Sequence, residues 1–325
     1  MIATTPAEIL RFAAARIDEG RGTVLVTLTH VEGSSPRAIG AQMAVADDGR
    51  YAGSFSGGCI EAAVVAEAIG TLADGRAKLV RFGAGSPYLD IRLPCGSGID
   101  LLFNPHPDPT ALARVLAQHD RREPATLRLS HEGVSVDDAM ASGWKGDGFN
   151  IRYLPGLRLL AMGQGEELTA LARLAAGFGA EVCAVSPDRG ALAGLAAEGI
   201  DIVEWIARTH LPSFASDPWT AFVSVFHDRD WEEELLPRAL DLPGFYVGAI
   251  GSPRTQEIRR DALRSAGTPD HLVRRLRATV GLIPAARDPA TLALSILSEI
   301  VQEYHALLPD SRDLEPSAAD IDQMI

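Results

Sequence analysis

The sequence predicts an α/β protein of two domains, the second Rossmann-like and built on a parallel sheet. Three observations lead there. A chain of 325 residues is long enough for two domains of ordinary size. Asn104-Pro105-His106-Pro107-Asp108-Pro109 sets three prolines among turn formers and is the clearest punctuation in the chain. From Leu157 onward, short apolar runs alternate with helical patterns, the signature of a parallel sheet with crossover helices. The chain accordingly divides into a domain at 1–105, a connector at 106–156, the Rossmann-like domain at 157–308 and an acidic tail at 309–325.

Thr5-Pro6-Ala7-Glu8 is a capping box with proline at the first helical position, and Ile9, Leu10, Ala13 and Ile17 give the helix an apolar face. Gly20 and Gly22 end it. Thr23 to Val31 is rich in β-branched residues and reads as a strand. It delivers the chain into Gly33-Ser34-Ser35-Pro36-Arg37-Ala38-Ile39-Gly40-Ala41. A hairpin-like segment turning at Asp47-Asp48-Gly49 leads to a second loop, Gly53-Ser54-Phe55-Ser56-Gly57-Gly58-Cys59. Ile60 to Leu72 then reads as a helix and Lys78 to Phe82 as a strand. Pro94-Cys95-Gly96-Ser97-Gly98 is a further glycine-rich turn before an apolar strand at Ile99 to Phe103. From Thr110, a short helix and scattered strands (Thr126 to Ser130, Asn150 to Leu154) make a connector packed on one of the two domains.

In the second half, strands are expected at Arg158 to Met162, Glu181 to Val185, Asp201 to Val203, Thr220 to Phe226 and Tyr246 to Ile250. Helices are expected at Leu168 to Gly177, Ala191 to Glu198 and from Gln256. Asp288-Pro289 starts the last long helix, with aspartate as cap. Asp230, Glu232, Glu233 and Glu234 read as the acidic first turn of a helix.

Composition excludes several classes of function. A formal net charge of −13 argues against nucleic acid or an anionic membrane surface as partner. Any bound anion must therefore be held by local loops and helix ends. Three cysteines, Cys59, Cys95 and Cys183, cannot build a disulfide framework and point to a reducing, cytoplasmic setting. No stretch is long and apolar enough to span a bilayer.

The chemistry gathers in the two N-terminal loops. Consecutive amides around paired glycines, followed by a helix start with its own unpaired donors, suit a phosphate or another oxyanion. Ser34, Ser35, Ser56, Gly57, Gly58 and Glu61 belong to these loops, and Arg37 offers a planar fork to the same ligand. Cys59 sits at a helix N-terminus and is a candidate thiolate. Cys95 and Gly96 stand among glycines that let backbone approach a ligand; the alternative is a tight bend with an incidental thiol.

Met162-Gly163-Gln164-Gly165-Glu166-Glu167-Leu168 follows a strand and opens a helix, as a dinucleotide-binding turn does. Gly163 and Gly165 are in place, but Leu168 occupies the third glycine position. A carboxylate about 6 Å from a phosphate repels it by roughly 2–3 kcal/mol at a dielectric near 20. Glu166 and Glu167 thus carry the wrong sign for pyrophosphate. Ser186 ends the second strand where an acid normally holds the ribose, and Asp188 could substitute only if the loop folds back. The expectation is a Rossmann-like fold without NAD(P) chemistry. His227, Gly251 and Ser252 follow strands directly, at the edge where open α/β sheets bind ligands. The plainer reading of His227 is a strand cap bonded within its own loop.

The strings GSSPRxxGAxM and GSxSGGCxE resemble the N-terminal domain of the XdhC/CoxI family, the xanthine dehydrogenase accessory proteins. The resemblance extends to Phe226-His227-Asp228, to Tyr246-Val247-Gly248-Ala249-Ile250-Gly251-Ser252-Pro253-Arg254 and to the terminal helix around Ala293 to Ile300. It implies an α/β XdhC/CoxI-type domain followed by the Rossmann-like one. It also implies a non-enzymatic accessory protein that binds molybdenum cofactor (molybdopterin or its cytosine dinucleotide). Such a protein holds the cofactor while a cysteine desulfurase supplies sulfur, then delivers it to an apo molybdenum hydroxylase of the xanthine, aldehyde or carbon monoxide dehydrogenase type. By the same resemblance, Cys59 and Cys95 are the sulfur-bearing residues near the metal, and a homodimer is the default assembly. The sequence departs from the family pattern where Ser97 follows Cys-Gly and where Ile283-Pro284-Ala285-Ala286 replaces Asp-Ile-Gly-Ala. Two other functions compete: an NAD(P)-dependent oxidoreductase, on Gly163-x-Gly165, and a persulfide relay that never holds the cofactor.

Overall fold

A computed structural model describes residues 5–86, 97–277 and 279–308. They form two compact units that divide in sequence between Pro155 and Gly156.

In the first unit, α1 (Pro6–Asp18) begins at the expected capping box: Glu8 N donates to Thr5 Oγ1 at 3.3 Å and Thr5 N to Glu8 Oε2 at 2.7 Å. β1 (Thr23–Glu32) is the central strand of a five-stranded antiparallel sheet. β2 (Gln42–Ala46) and β3 (Tyr51–Gly53) form the hairpin, and α2 (Glu61–Asp74), β4 (Lys78–Gly83) and β5 (Gly98–Pro105) come next. The strand order is β3-β2-β1-β5-β4. Val24, Val26 and Leu28 face Ile60, Val64 and Ala68 at the α2 side, while Leu25 packs on the opposite face with Leu10 and Ala13 of α1. Both faces are covered, so β1 is buried from Thr23 to Thr29 and reads as a continuous run rather than an alternation.

The segment read as a connector of a short helix and scattered strands packs on the first unit, and its strands join in a sheet of their own. α3 (Pro109–Asp120), capped by Asp108, leads into a four-stranded antiparallel sheet. Its strands are β6 (Ala125–Ser130), β7 (Gly133–Asp137), β8 (Gly143–Lys145) and β9 (Gly148–Tyr153), in the order β7-β6-β9-β8. Leu127, Leu129, Phe149 and Ile151 share one core with α1 and Leu112 of α3. Residues 106–155 are thus a layer of the first unit. Short strands separated by glycines carry weak local signals, and it is their pairing with one another that makes a sheet.

The second unit runs β10 (Arg158–Gly163), α4 (Gly165–Phe178), β11 (Glu181–Ser186), α5 (Arg189–Ala197), β12 (Asp201–Glu204) and β13 (Thr220–Val225). A 3-10 turn (Arg229–Trp231) precedes α6 (Glu232–Asp241), β14 (Tyr246–Ala249), α7 (Pro253–Ser265), α8 (Asp270–Val273) and α9 (Pro289–His305). The parallel sheet has the order β12-β11-β10-β13-β14. Strand progression reverses between β10 and β13, which places a topological switch point at their carboxyl ends.

Two details differ from expectation. Glu232 is not a solvated first-turn acid. It is buried and forms a two-pronged pair with Arg259, Nε to Oε2 at 2.8 Å and Nη2 to Oε1 at 3.0 Å, and also accepts from Ser224 Oγ at 2.8 Å. The loop Ile283-Pro284-Ala285-Ala286 holds Ala285 at φ 57, left-handed geometry that the glycine of the family pattern adopts without strain.

Candidate functional site

The first unit's loops meet because of how its strands pair. A hairpin returns the chain to its starting edge, so Met43 lies opposite Gly53, and the loop entering β2 is brought beside the loop leaving β3. Gly98 at the start of β5 pairs with both Glu32 and Gly83, the last residues of β1 and β4. The loops at 33–41 and 54–60 therefore leave the same end of one sheet. Arg37 ties them together, its Nε donating to Ser54 O at 3.0 Å. Ser97 Oγ donates to Ser34 O at 2.6 Å, and Ser35 Oγ accepts from Arg37 N at 3.1 Å. Cys95 and Gly96 lie outside the described residues. Arg81, at the base of this end, pairs with Glu32 and Asp100 and donates from Nε to Ala84 O at 2.7 Å. No local pattern announces that cluster, because its members come from three strands.

The loop before α2 corrects the oxyanion reading. Its donors converge as expected, but on a carboxylate of the chain itself. Glu61, only 4% exposed, turns back from the first helical position. Its Oε1 accepts from Ser54 Oγ at 2.8 Å, Phe55 N at 2.9 Å and Ser56 N at 2.8 Å. Its Oε2 accepts from Ser56 Oγ at 2.7 Å, Gly58 N at 2.8 Å and Ile60 N at 3.3 Å. The amides left over find the serine hydroxyls: Gly57 N reaches Ser54 Oγ at 3.0 Å, and Cys59 N reaches Ser56 Oγ at 2.9 Å. Every amide from Phe55 to Ile60 is thus engaged within the loop. Burial alone would raise the Glu61 carboxyl, but bonds from the Ser56 amide and from the Ser56 and Ser54 hydroxyls outweigh it and bring the group down to about 2.

Gly57 and Gly58 take φ 74 and 122, conformations that other residues adopt only with strain, and this lets the turn fold around the carboxylate. Cys59 is left exposed at the edge of the turn. Arg37 is also exposed, and its terminal Nη groups have no hydrogen-bond partner among the described residues. The third cysteine has a different character: burial, with Asp201 beside it, pushes the Cys183 thiol up to about 11. A soft thiol and a cationic fork therefore lie on two loops joined by a hydrogen bond.

In the second unit, Gly163, Gly165, His227, Gly251 and Ser252 all stand at the carboxyl edge of the parallel sheet. A Cβ on Gly163 would come within 2.4 Å of Val225 Cγ2, so this glycine serves the close approach of β10 and β13. Gln164 precedes α4 without a side-chain cap, and Leu168 is fully buried in the core. His227 Nε2 lies 3.2 Å from Glu167 Oε1, a partner from α4 rather than from its own loop. Asp188 accepts from Gly190 N at 2.9 Å and Ala191 N at 3.1 Å as the cap of α5. Ser252 caps α7, accepting from Thr255 N at 3.2 Å. Among the described residues, no group of three or more His, Cys, Asp or Glu side chains is arranged to hold a metal ion, and no helix is long and apolar enough to cross a membrane.

Comparison with known proteins gives these loops a context. The XdhC and CoxI family description matches residues 16–83, and the XdhC Rossmann domain matches residues 159–300. The chain is 36% identical over 311 residues to the molybdenum cofactor insertion chaperone PaoD of Escherichia coli (strain K12), spanning 93% of this chain and 92% of that protein. It is 25% identical over 330 residues to a probable xanthine dehydrogenase subunit of Bacillus subtilis (strain 168), spanning 89% of this chain and 95% of that protein. A Bacillus halodurans protein solved as a xanthine dehydrogenase shares the fold, with a TM-score of 0.74 at 24% identity across 93% of this chain and 96% of that one. Matches to both halves, in the same order and over nearly the full length of a relative, lead to one conclusion: the chain belongs to the XdhC and CoxI family.

Proposed function

We propose that this protein is an accessory factor that binds molybdenum cofactor, holds it during sulfuration by a cysteine desulfurase, and passes it to an apo molybdenum hydroxylase. The observation that carries the reading is the near-full-length similarity to a molybdenum cofactor insertion chaperone. The site chemistry supports it. A guest with a sulfur-rich metal at one end and a phosphate at the other needs a soft donor and a cationic one. Cys59 supplies the first and Arg37 the second, on neighbouring loops. When bound, the cofactor supplies a metal centre that takes up sulfur; the protein's part is to bind, orient and release. Ser34, Ser35, Gly57 and Gly58, on the same two loops, and Cys95 and Gly96 are proposed as further contacts, and no catalytic step is assigned to the chain. A cytoplasmic location and a homodimer belong to the same proposal.

Anaerobic incubation with molybdenum cofactor, then gel filtration, tests this directly. Pterin should co-elute with the protein, read as fluorescence after oxidation; protein peaks free of pterin would refute the proposal. A persulfide relay predicts the same empty peak, together with loss of sulfur loading in Cys59→Ala or Cys95→Ala.

The parallel sheet and Gly163-x-Gly165 favour a second reading, an NAD(P)-dependent oxidoreductase. Glu167 at the start of α4 and the engagement of Asp188 as a helix cap weigh against it. Micromolar NADH or NADPH binding by calorimetry, with hydride transfer to a substrate, would reverse the ranking.

A further inference from the structure

A carboxylate in the first turn of a helix ordinarily points to solvent and interacts weakly with the helix dipole. Glu61 does the opposite: it is buried, and each of its oxygens accepts three hydrogen bonds from residues 54–60. These donors converge on one carboxylate, and the chain provides it covalently. We propose that Glu61 is the positioning residue of this site: its carboxylate is the loop's resident anion, filling the place at the start of α2 where an external phosphate would sit, and it holds the turn that presents Cys59.

The inference rests on the proposed function only for the identity of the guest. Its consequence is an orientation. The loop offers a thiol and closes its amides to phosphate, so an anionic end of the guest meets Arg37, whose Nε is already bonded to Ser54 O on the same loop. A side chain that merely filled space could be replaced by an isostere; one that acts as an anion cannot. Gln keeps the shape of Glu61 but brings an NH₂ against N–H donors on one side.

Hydrogen exchange of the full-length protein, read by mass spectrometry over residues 54–61, tests this. Glu61→Gln and Glu61→Ala should each speed exchange at Phe55, Ser56 and Gly58 at least tenfold. Formate at tens of millimolar should restore most of the protection in Glu61→Ala and none in Glu61→Gln, whose amide blocks the hole. Inorganic phosphate should leave the wild-type loop unchanged. Wild-type exchange rates in Glu61→Gln, failure of formate to rescue Glu61→Ala, or phosphate-dependent protection of the wild-type loop would each overturn the proposal. Should Glu61→Ala not fold, Glu61→Gln and the phosphate arm still decide. Pterin retention is measured separately, so an empty protein with a Glu61-dependent loop would count against the function and leave this inference standing.

Discussion

The turn before α2 and the turn before α4 share a grammar and reach opposite ends. Each is a glycine-containing loop leaving a strand, entering a helix whose first turn carries glutamate, with no side-chain cap from the N-cap residue. Before α2, the carboxylate folds back onto the loop and is sealed there. Before α4, Glu167 turns outward to His227, itself 72% exposed. The contrast teaches that a glycine-rich helix start is a set of donors whose occupant is decided by the neighbouring acid. Where the acid reaches the donors, it satisfies the loop's own amides; where it does not, it pairs with a side chain from elsewhere in the fold. Two serine hydroxyls make the difference before α2, since Ser54 and Ser56 both donate to Glu61 and collect the amides it cannot reach.

The comparison can be broken most forcefully at Glu61. Lowering a carboxyl from its ordinary 4.5 to about 2 corresponds to about 3 kcal/mol of stability at neutral pH. Glu61→Gln should lose that much, measured by urea unfolding at pH 7. The sign of its pH dependence follows from the depressed value. The stabilisation is complete above the unfolded carboxyl's titration and disappears as pH falls from about 4.5 toward 2, so the gap between wild type and Glu61→Gln should narrow on acidification. A gap that stays constant from pH 7 to pH 3 would mean that the side chain acts by shape alone.

Gly163→Ala should have a smaller effect, about 1–2 kcal/mol, because the new methyl must push Val225 and part β10 from β13. Thermal unfolding reads it, and an unchanged midpoint would show that this glycine has no packing role. Glu167→Gln should be smallest, within about 0.5 kcal/mol, as expected for an exposed pair with histidine. It sharpens the contrast: the same substitution, at two helix starts, should differ several-fold in cost.

Local features were legible where the partners are three or four residues apart. The capping box at Thr5 and the cap at Asp288 appear as written, since each bond closes over a single turn of chain. The inner strands β10 and β13 of the second unit were legible because parallel strands buried on both faces are continuous apolar runs. The two candidate loops were legible as glycine turns, but not which group their amides would bind. Glu61 stood out beside the loop, yet whether its carboxylate faced a guest or its own amides depends on a side-chain direction that spacing does not encode. The pairing of His227 with Glu167 joins positions 60 residues apart, and Ser97 with Ser34 positions 63 apart. Neither contact leaves a trace in the local pattern. Within residues 125–153 the strands at 126–130 and 150–154 were legible but the sheet that joins them was not: its strands are short, and their register is set by one another.

By itself the amino-acid sequence determined the two-part α/β organisation, the helix caps, the glycine turns and the family to which they point. These are written in short-range chemistry: which side chain reaches which amide within one turn, and which periodicity buries which face. Tertiary structure alone decided that loops at 33–41 and 54–60 share one end of a sheet, that Glu61 fills the oxyanion position, and that Glu167 meets His227. Those outcomes depend on strand pairing over tens of residues, where loop closure is offset only once the whole sheet has formed.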